Sequence, residues 1–368
     1  MIIDLPSTTT SAVNKKLVEL RERGGAVALG RVLTMVIVTD DGVDTESAID
    51  AANDASREHP CRVIVLARGA KRAAARLDAQ IRVGGDAGAS EVIVLRLYGP
   101  LAEEGASATV PLLLPDAPVV AWWPREAPDV PAEDPIGRLA TRRITDAAAS
   151  RNPQRMLAHR RDSYADGDTD LAWTRVTLWR GLLAAALDQP PHEEVTRAVV
   201  SGAADSPSTD LLAGWLAARL RVPVIRAKAD VPGGLESVRL ERRSGDVTLS
   251  RPDGKVGTLL QPGQPQRRVA LQRRPLRDCL SEELRRLDPD EIYEAALRAL
   301  PDVRRGRAPA VRDDAPRTAA KARAVAHDHG GPDAAAAARR SRTRSADQVA
   351  AGSKAGSSGE TRTTKGAS

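Results

Sequence analysis

The residues of this chain best suited to chemistry are tryptophans and arginines gathered in one stretch, and the chemistry that they suit is recognition. Four of the five tryptophans lie between residues 122 and 179 of a 368-residue chain that has no phenylalanine and three tyrosines. Trp and Arg are among the residue types most enriched where contacts dominate binding energy. We therefore predict a surface here that binds another protein. Its candidate residues are Trp122, Trp123, Pro124, Arg142, Arg143, Trp173, Arg175, Trp179 and Arg180.

The first two tryptophans stand where a predicted strand, residues 118–122, should end. Pro124 restricts Trp123 to an extended conformation and removes an amide donor, which suits a strand that runs into a loop. Ligands of open α/β sheets gather at the carboxyl edge of the strands. Because side chains alternate across a strand, we expect at least one indole to point away from the core. The alternative is that both pack under the proline-rich loop that follows.

Arg142 and Arg143 belong to a segment with Pro and Gly breaks, residues 134–146, which we interpret as a loop. Its functional interpretation is an anion-binding or partner-binding loop, because the guanidinium fork fits carboxylates and phosphates. The alternative, which we favour, is an internal salt bridge between one arginine and Asp146, since isolated charge clusters are usually structural or solvated.

The other tryptophans of the stretch fall on a predicted helix over residues 171–187, with Asp170 as its N-cap. Trp173 and Trp179 are six residues apart, so they project on different headings and cannot both be central to one narrow stripe. Arg175 and Trp179 are four residues apart and are placed to stack.

A second candidate site is the small polar loop over residues 201–210, between a predicted strand and a predicted helix. This arrangement can hold a phosphate at the helix N-terminus, with Asp205, Ser206 and Ser208 as an anion-binding loop. The alternative, which we favour, is ordinary N-capping by Ser206 ahead of Pro207. No glycine-rich phosphate motif occurs in the chain.

Little in the sequence predicts catalysis. The five histidines, at positions 59, 159, 192, 327 and 329, are dispersed, and none has an obvious catalytic partner. Cys61 and Cys279 are too few for a disulfide framework or a zinc site, and Cys61, beside a predicted strand, is interpreted as a core residue. We predict no cofactor, no metal and no enzymatic activity.

The elements that position these residues follow an α/β pattern. The first domain, residues 1–165, is predicted to be a mostly parallel sheet with helical connections. Helices are predicted at about residues 11–23 and from residue 44 onward, and the longest apolar runs are typical of strands buried on both faces. Further predicted strands span residues 31–39, 62–66, 77–83, 91–97 and 118–122.

A second α/β domain is predicted over residues 166–302. After the helix over 171–187, a strand spans 194–200 and a helix spans 211–220. Turn signals at Ser244-Gly245 and Asp253-Gly254 separate short alternating segments, which predict an antiparallel meander. The meander segments and the closing helices span 235–240, 247–249, 256–260, 268–271, 275–287 and 289–300.

Residues 303–368, rich in Ala, Arg, Ser and Gly, are predicted to be a disordered basic tail. They hold 14 Lys and Arg against 6 Asp and Glu, whereas residues 1–302 hold 41 against 43. The net charge of +6 therefore belongs to the tail. Nucleic-acid binding would depend on this tail alone, and a solvated appendage is the favoured alternative.

The N-terminal residues show no secretion signal, and no apolar run approaches the roughly 18–20 residues of a membrane span. We therefore expect the protein to lie in the cytoplasm and to have no membrane partner.

Several of these segments together resemble one family. The chain is similar to the glucose-6-phosphate dehydrogenase assembly proteins of the actinobacterial type, known as OpcA. The combination of matching segments is specific and is spread over about residues 1–300, with the basic tail outside it. The matching segments are 119–124, 134–137, 142–146, 170–175, 179–180, 202–208 and 211–215.

The resemblance implies an N-terminal assembly domain, a C-terminal domain and an accessory or activating role toward glucose-6-phosphate dehydrogenase. That enzyme makes NADPH at the entry to the oxidative pentose phosphate pathway. The resemblance implies no catalytic residue. Related cyanobacterial proteins are associated with redox control through cysteines, for which two cysteines offer little. The alternative function is a sugar-phosphate or nucleotide-binding sensor or enzyme that uses the 201–210 loop.

Overall fold

The structure, a computed structural model, describes residues 1–24, 31–84, 91–229 and 234–308. The predicted tail from residue 309 onward lies outside these residues. The described chain forms two mixed β-sheets with helices packed on them, which confirms the predicted α/β class.

The first sheet has eight strands and is mostly parallel, as predicted. Its strands are β1 (Ile2–Leu5), β2 (Leu33–Asp40), β3 (Cys61–Arg68), β4 (Arg76–Arg82), β5 (Glu91–Tyr98), β6 (Val119–Trp122), β7 (Arg142–Thr145) and β8 (Asp168–Asp170). They lie in the order β1-β4-β5-β3-β2-β6-β7-β8. Antiparallel pairing is confined to β1, β4 and β5 at one edge.

Helices cover both faces of the first sheet, and this explains why its central strands are apolar on both sides. Alternate residues of β2 enter different cores: Met35 lies in one, and Val36 lies in the other. The helices of this half are α1 (Thr10–Gly24), α2 (Val43–Ser56), α3 (Gly105–Thr109) and α4 (Pro153–Asp162). Leu17 of α1 and Ile49 of α2 lie in the two opposite cores.

The second sheet has seven strands in the order β14-β13-β12-β11-β9-β10-β15. They are β9 (Arg197–Gly202), β10 (Val224–Lys228), β11 (Leu235–Glu241), β12 (Val247–Ser250), β13 (Val256–Leu260), β14 (Arg267–Ala270) and β15 (Val303–Gly306). The antiparallel meander from β11 to β14 is confirmed. The strands β9, β10 and β15 pair in parallel.

The remaining helices are α5 (Leu171–Thr174), α6 (Thr177–Leu187), α7 (Pro207–Leu220), α8 (Leu276–Arg285) and α9 (Glu291–Arg298). Helix α7 packs against α9 and against β9 and β10 over a third apolar core. Helix α8 follows the meander in sequence, yet it packs on α2, and its Leu280 lies in a core of the first sheet. Residues from both sides of the predicted domain boundary at 165 therefore contribute to that core.

Several short elements were missed by the sequence analysis. These are β1, β7, β8, β10, β15 and α4. Most of them have few large apolar residues, so the spacing of apolar positions is too short to indicate a helix or a strand. The tail prediction was wrong for residues 303–306, which pair with β10 despite their arginines. The prediction of a single helix over 171–187 was also wrong, because the helix is interrupted between α5 and α6.

Candidate functional site

The predicted contact surface at Trp122 and Trp123 is not a surface, because both indoles are buried, at 0% and 1% exposure. Their side chains take opposite sides of the first sheet, as alternation requires. Trp122 lies in the core that contains α2 residues, and Trp123 lies in the core that contains α1 residues. The expectation that one indole points away from the core was wrong, because both faces of the sheet are covered. Pro124 is partly buried.

Arg142 and Arg143 on β7 are also buried, and each is held by an internal ion pair. Arg142 Nη2 donates to Glu283 Oε2 of α8 at 2.5 Å, and Arg143 Nε donates to Asp168 Oδ1 of β8 at 2.5 Å. The anion-binding interpretation of this segment was wrong. The favoured alternative, an internal salt bridge, describes both arginines, although Asp146 is the partner of neither.

Asp146 pairs instead with Arg175, a predicted contact residue. The two Nη atoms of Arg175 donate to the two carboxylate oxygens at 2.7 and 2.6 Å, which is the bidentate geometry of a strong pair. The neighbouring Asp170 is fully buried and caps α5 by accepting from a backbone amide, as predicted. Burial, together with the Asp146 carboxylate, raises the pKa of Asp170. The charge of Arg175 is therefore already paired inside the protein.

Trp173 and Trp179 are buried as well, so the prediction of an exposed indole patch was wrong for all four tryptophans. Arg180 covers the Trp173 ring with its guanidinium carbon 3.6 Å from the ring centre. The indole N–H of Trp173 donates at 2.8 Å to the carboxylate that caps α9. Arg175 does not stack on Trp179. Arg251, which follows β12, lies over that ring at 5.2 Å.

Helix α6 leaves one apolar side in solvent within the same stretch of chain. Leu178, Gly181, Ala184 and Ala185 are exposed, and their spacing places them on one side of the helix. We call these four residues the outer stripe of α6. A helix that is apolar on nearly all sides is typical of a buried element. The stripe is thus exposed apolar surface where partner binding was predicted.

The carboxyl edge of the first sheet, where the sequence placed a ligand site, holds an open pocket of about 220 Å³. Neither Trp122 nor Trp123 lines it. Its charged lining residues are Asp40, Glu126, Arg68, Arg125 and Arg151. Since charges of both signs surround it, the pocket offers no strong preference for an anion or a cation.

The loop over 201–210 connects β9 to α7, as predicted. Ser206 is the N-cap, and its Oγ accepts from the Thr209 amide at 3.3 Å, which confirms the favoured alternative. Ser208 Oγ donates to the Ala172 carbonyl at 2.8 Å. Asp205 is exposed. The two hydroxyls proposed for an anion-binding loop therefore already have partners inside the protein.

A cavity of about 250 Å³ opens beside the N-terminus of α7. We call it the α7 cavity. Its polar and aromatic lining residues include Arg175, Trp179, Asp205, Ser206, Ser208, Arg251 and Arg273. Sequence analysis missed Arg251 and Arg273. Each is one of many arginines in the chain, and no local pattern relates it to the 201–210 loop.

Cys61 and Cys279 are free and buried, and the core role predicted for Cys61 is confirmed. Burial raises the pKa of the Cys279 thiol to about 11. Across residues 1–24, 31–84, 91–229 and 234–308, no group of three or more His, Cys, Asp or Glu is placed to hold a metal ion. In the same ranges, no helix combines the length and the apolar character that crossing a bilayer requires.

The fold and the site define a two-sheet α/β protein whose predicted contact residues are mostly internal. Two family models match it in tandem. The glucose-6-phosphate dehydrogenase subunit N-terminal domain matches residues 52–162, and the C-terminal domain of the same subunit matches residues 166–297. Together they cover more than half of the chain. The chain therefore belongs to the glucose-6-phosphate dehydrogenase subunit family, OpcA, which confirms the family that the sequence resembles.

Comparison with solved structures finds distant likenesses. Biliverdin reductase from Synechocystis is 12% identical, with a TM-score of 0.36 over 73% of this chain and 96% of that chain. Glucose-6-phosphate 1-dehydrogenase from Mycobacterium avium is 10% identical, with a TM-score of 0.36 over 75% of this chain and 94% of that chain. These likenesses are too weak to carry an argument. No curated protein matches the chain.

Proposed function

We propose that this protein is a non-catalytic accessory subunit that binds glucose-6-phosphate dehydrogenase and favours its assembled or active state. The observation that carries the proposal is the tandem match to both domains of the dehydrogenase subunit family, over residues 52–162 and 166–297. A binder changes an enzyme only through different affinities for its two states. A coupling of about 1–3 kcal/mol would change apparent activity by roughly 5–150-fold.

The chemistry of the described residues supports binding over catalysis. The alternative function, a sensor or enzyme, would need the hydroxyls of Ser206 and Ser208. Ser206 Oγ instead caps α7, and Ser208 Oγ donates to a backbone carbonyl. His159 Nδ1 lies 2.8 Å from an Asp129 oxygen and its Nε2 accepts from Arg155 Nε at 3.2 Å, so both ring nitrogens already have partners. Three arginines of the predicted contact site, Arg142, Arg143 and Arg175, form ion pairs inside the protein. An accessory subunit needs a stable shape and a docking surface, and this arrangement supplies the first.

The docking surface that we propose is the outer stripe of α6, together with the half-buried Arg180 on the same helix. This keeps the predicted site on the same segment of chain but moves it from the buried indoles to the exposed side. Leu178 is its largest apolar side chain, at 45% exposure. Exposed apolar side chains of this kind mark protein contacts when they are grouped.

The proposed function is tested by co-expressing the full chain with the glucose-6-phosphate dehydrogenase of its host. We expect the two to elute together in size-exclusion chromatography with light scattering, and the dehydrogenase to change its oligomeric state or its kcat/KM. Separate elution, with unchanged dehydrogenase kinetics at saturating amounts of this chain, would contradict the proposal.

Replacement of Leu178 tests the docking surface. We expect Leu178→Asp to weaken dehydrogenase binding by about tenfold or more, because a carboxylate would be desolvated at the contact. Val18→Asp is the matched control, because Val18 is a helical residue on α1 with 44% exposure. The measurement is titration calorimetry of each folded variant with the dehydrogenase. Equal affinities of the two variants for the dehydrogenase would mean that the docking surface does not include α6.

A further inference from the structure

The α7 cavity contains a buried cation that has no anionic partner. Arg251 is 8% exposed. Its Nη1 donates to the Leu271 carbonyl at 2.8 Å and its Nη2 to the Leu235 carbonyl at 3.0 Å, while its Nε has no partner in the described residues. Within those residues no carboxylate forms an ion pair with it. A buried charge that lacks a counter-charge is costly, and this cost suggests that an anion completes the site.

Two further positive features face the same space. Arg273 lines the cavity, is exposed, and has no ion pair or hydrogen bond within the described part of the chain. Burial is the main cause that lowers the pKa of Arg251, the nearby Arg273 lowers it further, and the carboxylate of Asp253 opposes the shift. The N-terminus of α7, a helix of 14 residues, adds partial positive charge through the dipole of the helix, while Pro207 supplies no N–H and Ser206 caps the Thr209 amide. Asp205 is the one acidic residue in the lining.

We propose that the α7 cavity binds a phosphorylated small molecule, with its phosphate held by Arg251, Arg273 and the first turn of α7. Guanidinium groups and helix N-termini are both well suited to phosphate. This set differs from Asp205, Ser206 and Ser208, because Ser206 and Ser208 have internal partners and Asp205 would repel an anion.

The other walls of the cavity indicate the kind of molecule. Trp179, Val176 and Leu235 line it, so the body of the ligand meets apolar surface and an aromatic ring. The volume of about 250 Å³ lies just below the range of roughly 300–1,000 Å³ typical of ligand pockets. A compact ligand such as a sugar phosphate fits this volume, whereas a dinucleotide does not. Arg175 also lines the cavity, but its charge is already paired.

The inference goes beyond the proposed accessory function, because it concerns a ligand of this chain alone. Its main test therefore uses the purified full chain without any dehydrogenase. Titration calorimetry with glucose 6-phosphate, inorganic phosphate and glucose, at a constant ionic strength of about 0.15 M, separates the phosphate from the body of the ligand. We expect saturable binding of glucose 6-phosphate, weaker competing binding of inorganic phosphate, and no binding of glucose.

Variants locate the site. We expect Arg273→Ala to weaken glucose 6-phosphate binding by about tenfold, and Arg273→Glu by more, because a charge-assisted hydrogen bond is lost or replaced by repulsion. Arg268→Glu on β14 is the matched control, since Arg268 is exposed and lies outside the cavity lining. Arg251→Gln should abolish binding, and a melting curve establishes that this variant is folded.

Three results would overturn the proposal. The first is the absence of saturable binding of either anion up to about 10 mM, a concentration well above a millimolar Kd. The second is an equal loss of affinity in Arg273→Glu and Arg268→Glu, which would mean general charge attraction. The third is a combination of two measurements: the unmodified chain binds no phosphate, and Arg273→Glu binds the dehydrogenase poorly. That combination would mean that the cavity contacts an acidic side chain of the enzyme.

Discussion

At the scale of single residues, the tryptophans fill volume that no other residue type in this chain supplies. The chain has no phenylalanine, so Trp122 and Trp123 provide the largest side chains in the two cores of the first sheet. Their indole N–H groups have no hydrogen-bond partner in the described residues. These two residues therefore contribute to the fold through the shape and apolar area of their rings, and not through a hydrogen bond from the indole N–H.

This assignment predicts a folding defect when a ring is removed. We expect Trp122→Ala to lower the free energy of unfolding by about 3–5 kcal/mol, because it leaves a cavity in the core that contains α2 residues. Trp215→Ala on α7 is the matched control, and its loss should be smaller because Trp215 is only partly buried. Urea unfolding followed by circular dichroism measures both. If Trp122→Ala were fully stable but bound the dehydrogenase poorly, Trp122 would be part of the contact surface after all.

The cysteines give a second prediction at this scale. Burial raises the pKa of Cys279 from 9.0 to about 11, so the folded state favours the neutral thiol. The resulting stabilisation is complete below pH 9 and is lost as the pH rises through 11. Since the thiolate is the reactive form, native Cys279 should not react with Ellman's reagent at pH 7, whereas the unfolded chain should react. A Cys61→Ala variant assigns the signal, and rapid native labelling would contradict the prediction.

At the scale of elements, buried ion pairs join parts of the chain that are distant in sequence. Arg142 on β7 meets Glu283 on α8, and this contact fixes the helix that completes a core of the first sheet. Glu283 also accepts from Thr174 Oγ1 of α5 at 2.5 Å. One carboxylate thus links three elements from both halves of the chain.

Breaking this pair should cost far more than breaking an exposed pair. We expect Arg142→Met to destabilise the protein by about 3–5 kcal/mol, because Glu283 would remain buried without its counter-charge. Arg298→Met removes an exposed pair with Glu294 within α9, and its cost should stay below about 1 kcal/mol. Chemical unfolding of the two variants makes the comparison, and similar losses would mean that the Arg142 pair is not desolvated.

At the scale of the whole molecule, two sheets share one body through α8, and the edge strand β15 closes the second sheet after the helices are complete. Strand β15 pairs in parallel with β10, and Arg305 reaches Asp210 at 3.2 Å. The chain must therefore extend to residue 306 to complete this sheet.

Truncation tests where the folded part ends. A chain of residues 1–308 should keep the unfolding midpoint of the full protein. A chain of residues 1–302 should lose on the order of 2 kcal/mol or more, because it removes the backbone hydrogen bonds of β15. Equal midpoints for these two chains would show that β15 adds nothing to stability. Nucleic-acid binding, if any is measured, should be absent from the 1–308 chain.

The family, the α/β class, the mostly parallel first sheet, the meander and the caps at Asp170 and Ser206 could be predicted from the sequence by itself. The family follows from the resemblance of several segments taken together, whereas the structural features depend on neighbours in the chain, through the spacing of apolar residues and the local chemistry of helix ends. Only the tertiary structure decided that the indoles and Arg142 are internal, because burial depends on what covers a face. It also brought Arg251 and Arg273 to the N-terminus of α7, since cavities are formed by elements that only folding makes neighbours.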